Sequence, residues 1–327
     1  TGTIENAISG DGNDLLIGNA ADNELRGMRG QDTMRGGAGN DLYYVDNSAD
    51  LVSEASGAGA DTVRAGVSYT LATGSEVELL ESLDSLGGVA LTFIGNDFGQ
   101  TINGTAGVNR LEGLGGADVL RGGADNDTLA GGAGGDTLDG GSGSRDVASY
   151  QGGSDVRVAL DGSLTFTGDA AGDTMSGIED LWGSAGNDTL AGDAGANQLL
   201  GFGGDDVLRG STGKDTLSGG EGADRFVWSL ATESAPTSAG RDIVTDFTAG
   251  DLIDLSTFDA NIVLAGAQSF TFRGRTSTTS NAEAGELWSY TFGGNTYIIG
   301  GVDAGTTRDF QIELLGTVLF LLPVGGF

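Results

Sequence analysis

From Gly183 to Val227 one large apolar residue returns at every ninth position: Leu190, Leu199, Leu208, Leu217 and Phe226. Two places before each stands a carboxylate or an amide, at Asp188, Asn197, Asp206, Asp215 and Asp224, after a turn rich in glycine that includes Gly204, Gly220 and Gly222. A strand alternates its faces with period two, so in D-x-U-x only the large apolar U residue enters a core. A strand that short is stable only when stacked on copies of itself. The pattern therefore predicts a roll in which successive nonapeptides lay strands on opposite walls and turns 18 residues apart lie above one another.

The same phase occurs twice more. Over residues 1–45 it places Asp14, Asn23, Asp32 and Asp41 nine apart, with Leu16, Leu25, Met34 and Tyr43 facing inward and Gly10, Gly12, Gly37 and Gly39 in the turns. Over 95–146 it places Gln100, Asn109, Asp118, Asp127 and Asp136 likewise, with Ile102, Leu111, Leu120, Leu129 and Leu138 inward and Gly123, Gly132 and Gly134 in the turns. At Asp146 the spacing slips to ten, where the roll is expected to stop or bend.

Residues 46–94 lose the period and read as longer coils of the same helix, with a separate small β insertion as the alternative. Residues 147–182 read as a β linker, 183–229 as the third roll, and 230–327 as a cap. In that last region NIVLAG, QSFTFRG, ELWSYTFGGNTYIIGG and FQIELLG alternate like antiparallel strands. They would cover the unpaired backbone at the end of the stack. The apolar run 314–324 is too short for a membrane helix of about 20 residues and reads as a final buried strand. The fold expected is all-β: a right-handed parallel β-roll or β-helix in three sections with a C-terminal β-rich cap.

Glycine turns can direct backbone carbonyls at a common point, and the carboxylate that follows can close a cage of oxygens. Oxygen-only shells of six to eight ligands suit calcium, so several calcium ions are the expected cofactor. The candidate ligands are Asp14, Asp32, Asp41, Asp118, Asp127, Asp136, Asp188, Asp206, Asp215 and Asp224, together with the turn carbonyls near the glycines named above. Asn23, Gln100, Asn109 and Asn197 offer a carbonyl without charge and read as weaker or structural positions.

Composition sharpens this picture. With 47 acidic and 15 basic residues the formal charge is -32, which argues for bound cations and against nucleic acid or an anionic membrane as partner. Membrane insertion is not expected. The 62 glycines among 327 residues lie on a fixed phase, which sets them apart from low-complexity sequence. There is no cysteine, hence no disulfide, and no histidine, which rules out a serine-histidine triad or an HExxH zinc site within this chain. Asp and Glu are spaced for stacking, and no pair stands apart as in a glycosidase. Arg26, Arg35, Arg121 and Arg209 share the last slot of their nonapeptides and read as solvated partners of the aspartates. The chain opens on Thr1, so a natural start and a passenger domain are expected upstream.

The nonapeptide is similar to the GGxGxDxUx repeat of RTX proteins, which bind calcium in a parallel β-helix. The opening TGTIENAISGDGNDLLIGNAADNELRG resembles the segment that follows the catalytic domain in serralysin-type secreted metallopeptidases, and RDIVTDFTAGDLIDLSTF resembles the cap of that family. The resemblance implies a non-catalytic, calcium-loaded C-terminal module that engages a type I secretion apparatus and helps an upstream passenger fold. It would be secreted and extracellular, or lie on the cell surface, of a Gram-negative bacterium. The closing LLPVGGF lacks the acidic residue followed by small apolar residues seen in such secretion signals. The alternative function is a calcium-dependent S-layer or adhesin-type surface protein.

Overall fold

The computed structural model describes residues 5–262, 268–275, 282–303 and 308–318. Contacts divide the chain into two compact units, Thr1–Gly152 with Phe166–Ile178, and Gly153–Thr165 with Glu179–Phe327.

In the first unit, short strands alternate between two sheets along the chain. Asn6–Ile8, Glu24–Arg26 and Leu42–Val45 stack in parallel in one, and Leu15–Ile17, Thr33–Arg35 and Leu51–Val52 in the other. The pairs Leu25↔Tyr43 and Leu16↔Met34 set residues 18 apart on top of one another, as a nine-residue half-coil requires. Beyond Val45 the coils change length while the ladder continues. Tyr43 pairs with Val63, Val63 with Leu80, and Leu80 with Ile102, and the surplus residues go into loops. The first sheet so reaches nine parallel strands and ends at Thr174–Ser176. Tyr69–Thr70, Thr92–Asn96, Arg110–Gly115, Thr128–Ala133 and Val147–Ser149 form another parallel run. Leu111, Leu120, Leu129 and Leu138 have no accessible surface, and each such burial stabilises the stack by about 1.5–3 kcal/mol.

The second unit repeats this plan. Arg157–Ala159, Thr189–Ala191, Val207–Arg209, Arg225–Val227 and Leu252–Asp254 form a five-stranded parallel sheet. Asp180–Trp182, Gln198–Gly203, Thr216–Glu221 and Ile243–Val244 form the other wall. Phe310–Leu314 adds in parallel to Ile243–Val244, and the meander Glu286–Phe292, Asn295–Gly301, Phe310–Leu314 is antiparallel.

One cap strand departs from the expected antiparallel order, since Thr271–Arg275 runs parallel to Glu286–Phe292. Parallel neighbours need a crossover, and a ten-residue stretch separates these two strands. Gly293 and Gly294, at φ 60° and 89°, instead permit a two-residue hairpin turn before Asn295–Gly301. Phe258, Phe270 and Phe310 form the aromatic centre of the cap, with ring centroids 4.9–5.6 Å apart. Most of NIVLAG, the end of the apolar run 314–324 and the closing LLPVGGF lie outside the described residues.

Candidate metal centre

The phased polar residues form a ladder down each stack. Each donates its backbone N–H to the carboxylate Oδ1 one coil further on. Asp14 donates to Asp32 (2.8 Å), Asn23 to Asp41 (2.7 Å), Gln100 to Asp118 (2.6 Å), Asn109 to Asp127 (2.6 Å) and Asp118 to Asp136 (2.8 Å). In the second unit Asp188 donates to Asp206 (2.8 Å), Asn197 to Asp215 (2.9 Å) and Asp206 to Asp224 (2.9 Å). One carboxylate oxygen is thus used by the backbone ladder. The other oxygen, Oδ2 of Asp32, Asp41, Asp118, Asp127, Asp136, Asp206 and Asp215, is buried and accepts no hydrogen bond.

Seven buried anionic oxygens without a donor would each cost several kcal/mol unless something positive meets them. Their proton affinities reflect that cost. Burial, and then the neighbouring ladder carboxylates, raises Asp206 to about 8. Burial and Asp242 raise Asp215 to about 8 as well. Asp118 and Asp127 rise to about 7, burial again being the larger cause.

The turns bring carbonyls to the same edge. The Gly12, Gly116 and Gly204 carbonyls each face the glycine 18 residues on, at Gly30, Gly134 and Gly222. Gly37, Gly132 and Gly220 also stack against the carbonyls of Asn19, Leu114 and Phe202, Gly123 against that of Thr105, and Gly39 against Ala21. Nothing lies within 4 Å of where a Gly10 side chain would begin. Among the described residues no three acidic or histidine-type side chains gather into a metal-holding cluster. A cation held here would need those backbone carbonyls to complete its shell.

Not every phased residue has the same surroundings. Ser184 donates both N–H (2.6 Å) and hydroxyl to the Asp188 carboxylate. The amides of Asn23, Gln100, Asn109 and Asn197 are likewise hydrogen-bonded within their turns. The arginines depart from the expected aspartate pairing: Arg26 pairs with Glu24 and lies over the Tyr44 ring, and Arg209 pairs with Glu233. The last slot of the nonapeptide lies three residues beyond the ladder residue, on the strand, and its side chain meets strand neighbours such as Glu24 and Asn103.

The ladder also holds residues that the fixed period misses. Asp50, Asp61, Asp146, Asp173, Asp242 and Asp251 accept the N–H groups of Asp32, Asp41, Asp127, Asp136, Asp215 and Asp224 at 2.7–3.0 Å. Each precedes an apolar residue by two positions, so the D-x-U signature survives where the nine-residue spacing does not. Glu54 and Asp246 occupy a different place. Gly36 and Gly37 donate N–H to Glu54 (3.0 and 3.4 Å), and Gly219 and Gly220 donate to Asp246 (3.1 and 2.9 Å).

A stacked parallel roll with a buried acidic ladder at its turns defines the class to which this chain belongs. More narrowly, the chain belongs to the peptidase M10 serralysin C-terminal family, whose profile matches residues 1–321. A subunit of the Azotobacter vinelandii mannuronan C5-epimerase, AlgE6R3, solved in solution, is 29% identical in sequence. That match covers 42% of this chain and 69% of the other, at a TM-score of 0.30. No curated protein matches the chain. Among the described residues no helix is long and apolar enough to cross a membrane.

Proposed function

We propose that this chain is a non-catalytic calcium-binding module that folds outside the cell and supports the export and folding of a passenger, a zinc metallopeptidase domain being the passenger its family suggests. The observation that carries the reading is the set of seven buried Oδ2 atoms without a hydrogen-bond donor. Asp32, Asp41, Asp118, Asp127, Asp136, Asp206 and Asp215 would hold the ions, with turn carbonyls such as those of Gly116 and Gly204. Calcium supplies the positive charge and accepts the large all-oxygen shell that such turns offer, whereas magnesium keeps its waters and demands near-octahedral geometry.

The chain's own residues then act by linkage. With calcium scarce, stacked carboxylates repel one another and the apolar ladder alone is too weak to hold the coils together, which suits passage through a type I secretion channel. Outside, each ion bound only by the folded form adds RT ln(1 + [L]/Kd), about 2.7 kcal/mol at a hundredfold excess over Kd. Neighbouring coils share the ladder, so loading is cooperative. Circular dichroism of the chain tests this. Little β signal in chelator, a steep gain on calcium addition and a poor response to magnesium are expected; a full β signal in excess EDTA at low salt would remove the mechanism.

A further inference from the structure

The turns fall into two backbone classes, and the division does not follow the carboxylate pattern. In every turn whose Oδ2 lacks a donor, the residue four before the aspartate has a positive φ, even where it is not glycine: Met28 (62°), Leu114 (78°), Phe202 (77°) and Ser211 (73°). A left-handed conformation costs a non-glycine residue about 1–2 kcal/mol, so the recurrence marks a demand of the turn itself.

Among the phased turns six lack this feature. One is the turn before Asp14, with Gly10 at that place. The residues there in the other five are Asn19, Asn96, Thr105, Ser184 and Asp193, and each of these donates its N–H to the ladder side chain that follows. Each also folds its own side chain onto the N–H two residues on, at Ala21, Phe98, Gly107, Gly186 and Gly195, at 2.7–3.1 Å. Where the ladder residue is an amide, its NH2 group binds oxygens of the turn or the preceding coil. Asn109 Nδ2 donates to the Gly107 carbonyl (2.6 Å) and Thr105 Oγ1 (3.0 Å), Asn197 Nδ2 to the Glu179 carbonyl (2.7 Å), and Gln100 Nε2 to Asn96 Oδ1 (2.9 Å) and the Phe98 carbonyl.

We propose that the residue four before the ladder position, together with the ladder residue, decides whether a turn takes a cation, and that the five turns ending at Asn23, Gln100, Asn109, Asp188 and Asn197 take none. In these turns the side-chain and backbone N–H and O–H groups supply the positive ends that an ion supplies in the others. This rests on reading the seven aspartate turns that combine a positive φ with a donorless Oδ2 as calcium sites, and it reverses the sequence pattern at Asp188, which matches the repeat as well as Asp206 does. The closed turns lead the second and third phased stretches, at Gln100 and Asn109 and at Asp188 and Asn197, where each ladder N–H orients the first calcium-binding carboxylate of the next coil. Each stretch so begins with turns that need no ion and continues with turns that do.

Equilibrium dialysis of the full chain in saturating calcium tests the assignment. Asp206→Asn should lower the number of bound ions by at least one, whereas the isosteric Asp188→Asn should leave it unchanged. The double variant Thr105→Gly/Asn109→Asp, which turns GTAGVN into GGAGVD, should bind one ion more than the parent. If Asp206→Asn binds the parental number, the calcium reading of the ladder itself is wrong. If Asp206→Asn loses an ion and Asp188→Asn loses one too, the two-class assignment is overturned, and a folded double variant with the parental number overturns it as well. Should the double variant not fold, the Asp188→Asn count decides alone.

Discussion

Asp206 and Asp215 show why one residue type can both specify and oppose this fold. Each gives Oδ1 to a neighbouring coil's N–H and leaves Oδ2 buried, so its proton is held to about pH 8 in the metal-free fold. An aspartate in the unfolded chain titrates near 3.9. Between about pH 4 and 8 the metal-free fold therefore binds more protons than the unfolded chain, and its stability falls as pH rises across that window. On the proposed reading calcium competes with the same protons, so its apparent affinity should rise over that span. Titrations at pH 6 and pH 8 should give distinctly tighter binding at pH 8; equal affinities would separate these carboxylates from the ion. Leu114 offers a second residue-scale check. It is half exposed at φ 78°, so Leu114→Gly relieves about 1–2 kcal/mol of strain against about 0.5–1 kcal/mol of added chain entropy. A small rise in the melting temperature of the calcium form is expected.

At the level of the strand and its turn, the inward leucines hold what the ladder permits. Leu129 has no accessible surface and stacks on Leu111, so Leu129→Ala should cost about 2–5 kcal/mol in urea unfolding with calcium present. Leu86 is 88% exposed, and Leu86→Ala should change stability by less than about 0.5 kcal/mol. Equal effects would mean that the inward phase is wrong. This phase was legible from sequence because a repeat of nine leaves no freedom in which residue faces in. The coils around Val63 and Leu80 were harder to read, since their lengths differ and only the D-x-U signature at Asp61 persists. Cross-links between distant turns left no local signal: Tyr150 donates to Asp173 (2.9 Å) and Trp228 to Asp242 (2.7 Å), pairs set by coil lengths that the period does not give. The two turn classes were half legible. Amides at Asn109 and Asn197 stood out, but Ser184 closing the Asp188 turn depends on a backbone conformation that the repeat does not encode.

For the chain as a whole, 47 acidic against 15 basic residues make the formal charge -32, and much of it is stacked along the ladders. Few ion pairs can offset it. Arg241 with Glu313 is one of the better buried, joined by Asn295 and Tyr297 at the same carboxylate. On the proposed reading bound cations, and not these pairs, keep the coils together. Small-angle scattering at pH 8 and low salt measures that most directly. An unfolded chain of this length has a radius of gyration of about 65 Å, the value expected in chelator, and calcium should bring it to about half or less. A chain that keeps its calcium-form radius in excess chelator would show that its coils hold together without bound cations.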